Sequence, residues 1–171
     1  MHGLPNMLVE AVADPLGADP AGPAVASRVE ALAPGVVIVG VGPGSDPDEP
    51  VAVQDVAVDL LALWGVDLPR RLARAHASGK RSAALWIDLE AEEPAAVMIL
   101  GLGSGTPDDL RRSAAAAVRR VRGTDEVLVL ATRGLDESGV RAFTEGLYLG
   151  TPPPTWATSA PPAPPGRVRL A

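Results

Sequence analysis

The chain has 171 residues, 47% of them hydrophobic, which suits a single domain with one sizeable core and a tail. It contains no cysteine, so disulfides, thiolate zinc sites, iron–sulfur clusters and cysteine nucleophiles are excluded. Its 21 acidic and 15 basic side chains give a formal net charge of −6, and this negative field disfavours nucleic acid as a partner.

The N-terminus has no basic segment followed by an apolar block. No apolar run approaches the roughly 20 residues that span a bilayer. We therefore expect a cytoplasmic protein without membrane contact.

Hydrophobic periodicity predicts alternating strands and helices. The predicted strands cover residues 6–13, 35–41, 81–89, 94–101 and 126–132, and the predicted helices cover residues 25–32, 53–64, 67–78, 106–122 and 137–149. Strand 94–101 is apolar throughout, which is typical of a strand covered on both faces. These elements predict an α/β fold with three layers, α/β/α, around a central mixed sheet.

The connections between elements predict how the strands pair. Strand 81–89 alternates in polarity and is joined to strand 94–101 by a tight acidic connection, so we expect an antiparallel hairpin near a sheet edge. A full helix separates strand 94–101 from strand 126–132. We therefore expect these two strands to be parallel, with a right-handed crossover.

The composition changes at the end of the last predicted helix. Residues 1–150 are predicted to form the α/β domain, and residues 151–171 a proline-rich linker or tail. Thr151 to Pro165 contains seven prolines, which cannot continue a helix or occupy the centre of a sheet. We expect this segment to be disordered in the isolated chain, although residues 167–171 alternate like the start of a strand.

Two glycine clusters that follow strands are the candidate ligand-binding loops. They consist of Gly42 and Gly44 after the second strand, and of Gly101, Gly103, Ser104 and Gly105 after the fourth. Crevices at the carboxyl ends of strands are the usual ligand sites of open α/β sheets. Backbone amides of such loops, next to a helix N-terminus, bind anions.

The sequence around the second cluster nevertheless favours an ordinary strand-to-helix turn. Its spacing matches neither standard nucleotide-binding motif, and no lysine follows it. Asp108 and Asp109 occupy the positive end of the following helix, where they would repel a phosphate.

Other polar groups have simpler explanations than a functional site. Asp46, Asp48 and Glu49 alternate with prolines, which favours a solvated loop over a calcium loop. His76 lies at the border of an apolar helical stripe, and no Ser/Asp or metal-ligand pattern surrounds it. We therefore expect a partly buried structural histidine rather than a catalytic base.

A basic strip is predicted on helix 106–122, formed by Arg111, Arg112, Arg119 and Arg122. Such a strip suits either a docking surface for an acidic partner or phosphate backbone, or a solvated helix face. Because the chain as a whole is acidic, the solvated face is favoured.

Three segments resemble the N-terminal domain of the M17 leucyl aminopeptidases. Residues 97–103 (VMILGLG) and 109–118 (DLRRSAAAAV) resemble a family strand ending in Gly-Leu-Gly and the helix after it, which begins with Leu-Arg and continues in alanines. Residues 143–150 (FTEGLYLG) resemble the family's Glu-Gly-containing helix before the interdomain segment. With residues 35–41, similar to an early apolar strand, the resemblance covers about residues 30–150.

The resemblance implies an α/β/α fold similar to macro domains. In that family this domain is not catalytic, and a C-terminal domain holds two divalent metals, such as Zn or Mn, and a bicarbonate-binding arginine. None of those motifs occurs in this chain, so the resemblance assigns it no catalytic residue, no metal ligand and no cofactor. After Gly150 the sequence departs from the family's aromatic step, so the usual interdomain packing does not follow.

Three functions remain open at this point. We expect a non-catalytic domain of a leucyl-aminopeptidase-like protein with a role in oligomer assembly, substrate access or regulation, whose partners are further copies of the chain or an M17 catalytic domain. The alternative is a macro-like module that binds ADP-ribose or a nucleotide group through its glycine loops. Intact aminopeptidase activity would require residues that this chain lacks.

Overall fold

A computed structural model describes residues 7–12, 24–44, 55–90, 94–151 and 163–171. The strands are β1 (Leu8–Ala11), β2 (Val36–Val41), β3 (Ala84–Asp88), β4 (Ala96–Gly101), β5 (Glu126–Val129) and β6 (Arg167–Leu170). The helices are α1 (Ala24–Glu30), α2 (Asp55–Leu63), α3 (Leu68–Arg74), α4 (Pro107–Arg120) and α5 (Glu137–Gly150). None of the helices in these ranges combines the length and apolar character needed to cross a bilayer.

The described strands form one mixed sheet in the order β1-β6-β5-β2-β4-β3. All neighbouring pairs are parallel except β3 and β4, which form the predicted antiparallel hairpin with β3 at the sheet edge. Strands β4 and β5 are parallel to each other, as predicted. They are not neighbours, because β2 lies between them and pairs with both. Every residue of β2 and β4 is buried, because helices cover both faces of the sheet.

The two faces of the sheet carry separate cores, which confirms the predicted three-layer α/β/α fold. On one face, α4 and α5 pack against the sheet, with Phe143 and Leu110 almost fully buried. On the other face, α1, α2 and α3 contribute Val29, Leu60 and Leu68. Burying a large apolar side chain contributes about 1.5–3 kcal/mol, so both faces stabilise the fold.

Three helices begin at side chains that accept a hydrogen bond from their first-turn amides. Asp67 accepts from the Arg70 amide at 3.0 Å, and Thr106 accepts from the Asp109 amide at 3.3 Å. Asp136 accepts from the Gly139 amide at 2.7 Å. Each such cap contributes about 0.5–2 kcal/mol.

The C-terminal residues differ from the expectation of a linker or tail. Arg167–Leu170 form β6, which lies inside the sheet between β1 and β5, with Val168 and Leu170 in the core. Arg169 pairs with Glu10 at 3.0 Å and donates to the Leu32 carbonyl at 2.7 Å. Parallel partners are distant in sequence, so local patterns showed only the strand-like alternation. Residues 152–162, where disorder was predicted, lie outside the described residues.

Helices α4 and α5 approach closely because α5 presents glycines to α4. A Cβ on Gly146 would overlap the Arg111 backbone. We therefore expect Gly146→Ala to lower the free energy of unfolding by about 1–3 kcal/mol through overpacking, although alanine is the better helix former. Urea denaturation measures the change.

Ser138→Ala provides the control, since Ser138 is exposed on the same helix. A Gly146→Ala protein at least as stable as the parent would show that α4 and α5 are not in close contact there.

Candidate functional site

The two predicted glycine loops meet where the parallel strands β2 and β4 end, at the carboxyl edge of the sheet. Strands β2 and β4 are parallel neighbours, so their carboxyl ends, Val41 and Gly101, lie side by side. The Leu102 amide donates to the Val41 carbonyl at 2.8 Å. This edge is where open α/β sheets usually bind ligands.

The crevice at this edge is filled by the chain itself, through the segment 79–83. The Ser82 amide donates to the Gly101 carbonyl at 3.0 Å, and the Gly101 amide donates to the Ala83 carbonyl at 2.7 Å. The Gly103 amide donates to the Gly79 carbonyl at 3.1 Å. The backbone amides of Gly101 and Gly103 are therefore used within the fold.

Glycine is required here for close backbone contact rather than for ligand approach. A Cβ on Gly101 would overlap the Lys80 carbonyl oxygen, and a Cβ on Gly79 would overlap the Gly42 carbonyl. Gly79 also has a φ of +60°, a conformation that glycine adopts without strain. The spacing of these glycines thus follows from packing between two loops.

An internal carboxylate takes the anion position at the start of α4. Asp109 accepts a hydrogen bond from the Ser104 amide at 3.0 Å and one from the Arg81 guanidinium at 2.9 Å. Its side chain is only 15% exposed. The amide of Ser104, one of the candidate donors to a phosphate, is therefore already bonded to a negative charge.

Burial alone would raise the pKa of the Asp109 carboxyl. The hydrogen bonds from the Ser104 amide, Arg81 and Thr106, and the charge of Arg81, outweigh this effect and hold the pKa below its ordinary value. The Asp109 carboxylate thus occupies the position that an external anion would take at the start of α4.

The six candidate residues have different environments. Gly42, Gly101 and Gly103 pack around the segment 79–83, while Ser104 bonds to Asp109. Gly105 is exposed with a φ of +74°, and nothing lies within 4 Å of a Cβ built on it. Gly44 is half-buried beyond the end of β2. The structure brings the two loops together without forming an open amide cradle.

Ser113 on α4 is a site residue that sequence reasoning missed. It is fully buried, donates to the Gly101 carbonyl at 2.8 Å and accepts from the Ser82 amide at 3.1 Å. A serine inside an alanine-rich helix was the available signal. Ser113 fixes the position of the segment 79–83 against β4.

Next to the filled crevice lies a small cleft of about 190 Å³, lined by residues 75–79, by the start of β3 and by Val41, Ile99 and Gly101. It is smaller than the roughly 300–1,000 Å³ of pockets that enclose drug-sized ligands. We call it the 75–79 cleft.

His76 lies at the rim of this cleft and corrects the expectation of a partly buried histidine. The helix ends at Arg74, well before Gly79, and His76 is exposed with a φ of +47°. The early end removes His76 from the apolar stripe. No group of three or more His, Asp or Glu side chains within the described ranges is placed to share a metal ion. The acidic loop at residues 46–49 lies outside those ranges.

The predicted basic strip on α4 is divided among different contacts. Arg111 pairs with Glu145 at 2.7 Å, and Arg112 pairs with Asp108 at 3.0 Å. Arg122 donates to the carbonyl groups of Gly150 and Thr151 at the end of α5. Arg119 lines an open groove of about 560 Å³ with Ser82, Arg112, Ala115, Ala116 and Arg120. We call it the α4 groove.

Comparisons with known proteins support the fold and leave the family open. No protein-family model and no curated protein matches the sequence. Among solved structures, one titled "Bottromycin maturation enzyme BotP" matches with a TM-score of 0.56 and 23% identity, over 81% of this chain and 27% of that one. Another, titled as the same enzyme "in complex with Mn", matches with a TM-score of 0.55 and 22% identity over the same shares. At these identities the likeness establishes the fold alone.

The contacts of Asp109 predict a pH-dependent contribution to stability. Because the folded-state pKa lies below the ordinary value of 3.8, the carboxylate stabilises the fold above about pH 4 and loses this effect as the pH falls through its folded pKa. Asp109→Asn should therefore be less stable than the parent at pH 7, and the difference should vanish in acid. Chemical denaturation at several pH values tests this.

Asp59→Asn is the matched control, because Asp59 is exposed. A stability difference between parent and Asp109→Asn that stays constant from pH 7 to pH 2 would contradict the assigned contacts.

Ser113→Ala should cost about 1–3 kcal/mol of unfolding free energy, because it removes two hydrogen bonds from a fully buried position. The exposed Ser78→Ala is the comparison. Equal stability of the two variants in urea denaturation would refute the anchoring role of Ser113.

Proposed function

We propose that this chain is a non-catalytic domain of a leucyl-aminopeptidase-like protein, with a role in assembly, substrate access or regulation. The observation that carries the proposal is the filled crevice at the carboxyl ends of β2 and β4. The backbone of segment 79–83 and the carboxylate of Asp109 occupy the place where an α/β sheet would hold a substrate or cofactor.

The matched structures are much longer than this chain. This chain spans about a quarter of the length of the matched structures, whose titles describe a maturation enzyme. Under the proposal, the two divalent metals implied by the M17 resemblance, such as Zn or Mn, belong to a C-terminal domain, and the partners are that domain or further copies of this chain.

The second candidate is a macro-like module for ADP-ribose or a nucleotide group. It would use the amides of Gly101, Gly103 and Ser104, all of which are bonded within the fold. The 75–79 cleft, which Gly101 lines, offers only about 190 Å³. These contacts favour the scaffold over the ligand-binding module.

The scaffold proposal is tested first through catalysis. The coding sequence beyond Ala171 is expected to encode, in frame, a domain with a two-metal peptidase site, and the longer protein should hydrolyse leucine 4-nitroanilide with manganese. The present chain alone should show no turnover that a chelator abolishes. Chelator-sensitive turnover by this chain, or a downstream sequence without any peptidase domain, would contradict the proposal.

Ligand binding is tested separately by isothermal titration calorimetry with ADP-ribose. We expect no heat of binding from the parent protein, because a ligand would have to displace the internal hydrogen bonds. Saturable binding that Ser104→Pro abolishes would instead support the macro-like module, since proline removes the amide that the phosphate would need.

A further inference from the structure

Strand β3 presents an unpaired edge at the end of the sheet. The Leu89 amide donates to the Ala95 carbonyl, and the Gly101 amide donates to the Ala83 carbonyl. The backbone N–H and C=O groups of the odd-numbered residues of β3 therefore point toward β4. The N–H and C=O groups of Ala84, Trp86 and Asp88 therefore point away from the sheet. Within the described residues no backbone or side-chain group bonds to them.

Exposed edges of this kind accept an additional strand. Trp86 lies at the middle of β3, is 43% exposed and donates from its indole N–H to the Asp88 carboxylate at 2.9 Å. It gives the edge an apolar surface against which an added strand can pack.

Arginines border this edge on the α3 side of the sheet. An edge groove of about 270 Å³ runs between α3 and β3 and is lined by Arg71, Arg74, Ala75, Leu85, Trp86 and Ile87. Both arginines are exposed, and among the described residues neither has a carboxylate within ion-pair distance. The groove shares Ala75 and Leu85 with the 75–79 cleft, so the two depressions are adjacent.

Arginines also lie on the opposite side of the sheet. Ala84 and Trp86 pair with Leu100 and Met98, which belong to the core under α4 and α5, so these side chains face the α4 layer. The α4 groove begins there at Ser82 and contains Arg119, exposed and without an ion pair in the described ranges. Arg112 and Arg120 line it too.

We propose that β3 binds an extended acidic peptide of a partner protein as an additional antiparallel strand. Side chains of an extended strand alternate between the two faces of the sheet. A peptide with neighbouring acidic residues would therefore direct some carboxylates to Arg71 and Arg74 and others to Arg119. The arginines stand out because the chain as a whole carries a net charge of −6.

A second copy of the chain fits this edge less well. If two β3 strands paired antiparallel about a two-fold axis, the two sheets would join into one. The same face of both sheets would then lie on the same side, together with the α3 helices of both copies. Arg71 and Arg74 of one copy would then approach those of the other, and like charges repel.

Fluorescence anisotropy with the labelled peptide Thr-Glu-Glu-Val-Glu-Glu-Thr-Val tests the proposal. We expect saturable binding that weakens with added salt and that falls about tenfold or more in the double variant Arg71→Glu/Arg74→Glu. A peptide with lysine in place of glutamate should not bind. Arg70→Glu, which adds the same kind of charge to α3 outside the groove, should bind nearly as the parent does.

Amide hydrogen exchange distinguishes strand addition from simple charge attraction. Saturating peptide should slow the exchange of the Trp86 and Asp88 amides at least about tenfold, because both point outward and would become bonded. Trp86→Pro should abolish binding while leaving the β3–β4 ladder intact, since this N–H is outside the ladder. If the proline variant fails to fold, Trp86→Ala takes its place in the test. This variant keeps the amide, so the peptide should still protect the Asp88 amide.

Three results would overturn the proposal. Peptide binding without protection at Trp86 and Asp88 excludes strand addition. Protection that appears with rising protein concentration and no peptide assigns the edge to a second copy. Displacement of the peptide by an oligouridylate of equal charge, together with unchanged amide exchange, identifies a general polyanion surface.

Discussion

The structure depends on one close contact, the approach of segment 79–83 to the carboxyl ends of β2 and β4. Glycines at 79 and 101 permit it, and three backbone hydrogen bonds join the segment to β4 and to the loop after it. At about 0.5–1.5 kcal/mol each, these three bonds contribute about 1.5–4.5 kcal/mol in all. A ligand that displaced the segment would first have to offset that free energy.

The same contact places the charges around the start of α4. It brings Arg81 to Asp109, which also accepts from the Ser104 amide. The helix N-terminus is thereby satisfied by a carboxylate from its own first turn, where an external phosphate would meet repulsion. The charged groups of this edge pair with one another, whereas Arg71 and Arg74 line the edge groove beside β3 and form no ion pair within the described residues.

Sequence patterns predicted the parts of the fold that local interactions determine. The apolar runs of β2 and β4, the periodicity of α4 and the acidic connection after β3 identify the sheet centre and the antiparallel edge. The sequence also indicated that Asp109 would oppose an anion at α4. It did not show that Arg81 pairs with this carboxylate or that the crevice is filled, because those contacts depend on Arg81 and Gly79 from another part of the chain.

The same limit explains the differences at β6 and His76. A parallel strand gives no local sign of its neighbours, so the position of Arg167–Leu170 between β1 and β5 could not be derived. The predicted helix ran to residue 78, just before Gly79, whereas the backbone leaves the helix at Ala75 and His76 adopts a positive φ. Glycine predicts helix ends only statistically.

The most direct test of the filled crevice is amide hydrogen exchange at Ser82, Gly103 and Ser104 in the protein without ligand. These three amides donate to the Gly101 carbonyl, the Gly79 carbonyl and the Asp109 carboxylate. All three should exchange far more slowly than the exposed amide of Gly105. Exchange of all three at the rate of Gly105 would show that the loops are open to solvent, and the crevice would again be available to a ligand.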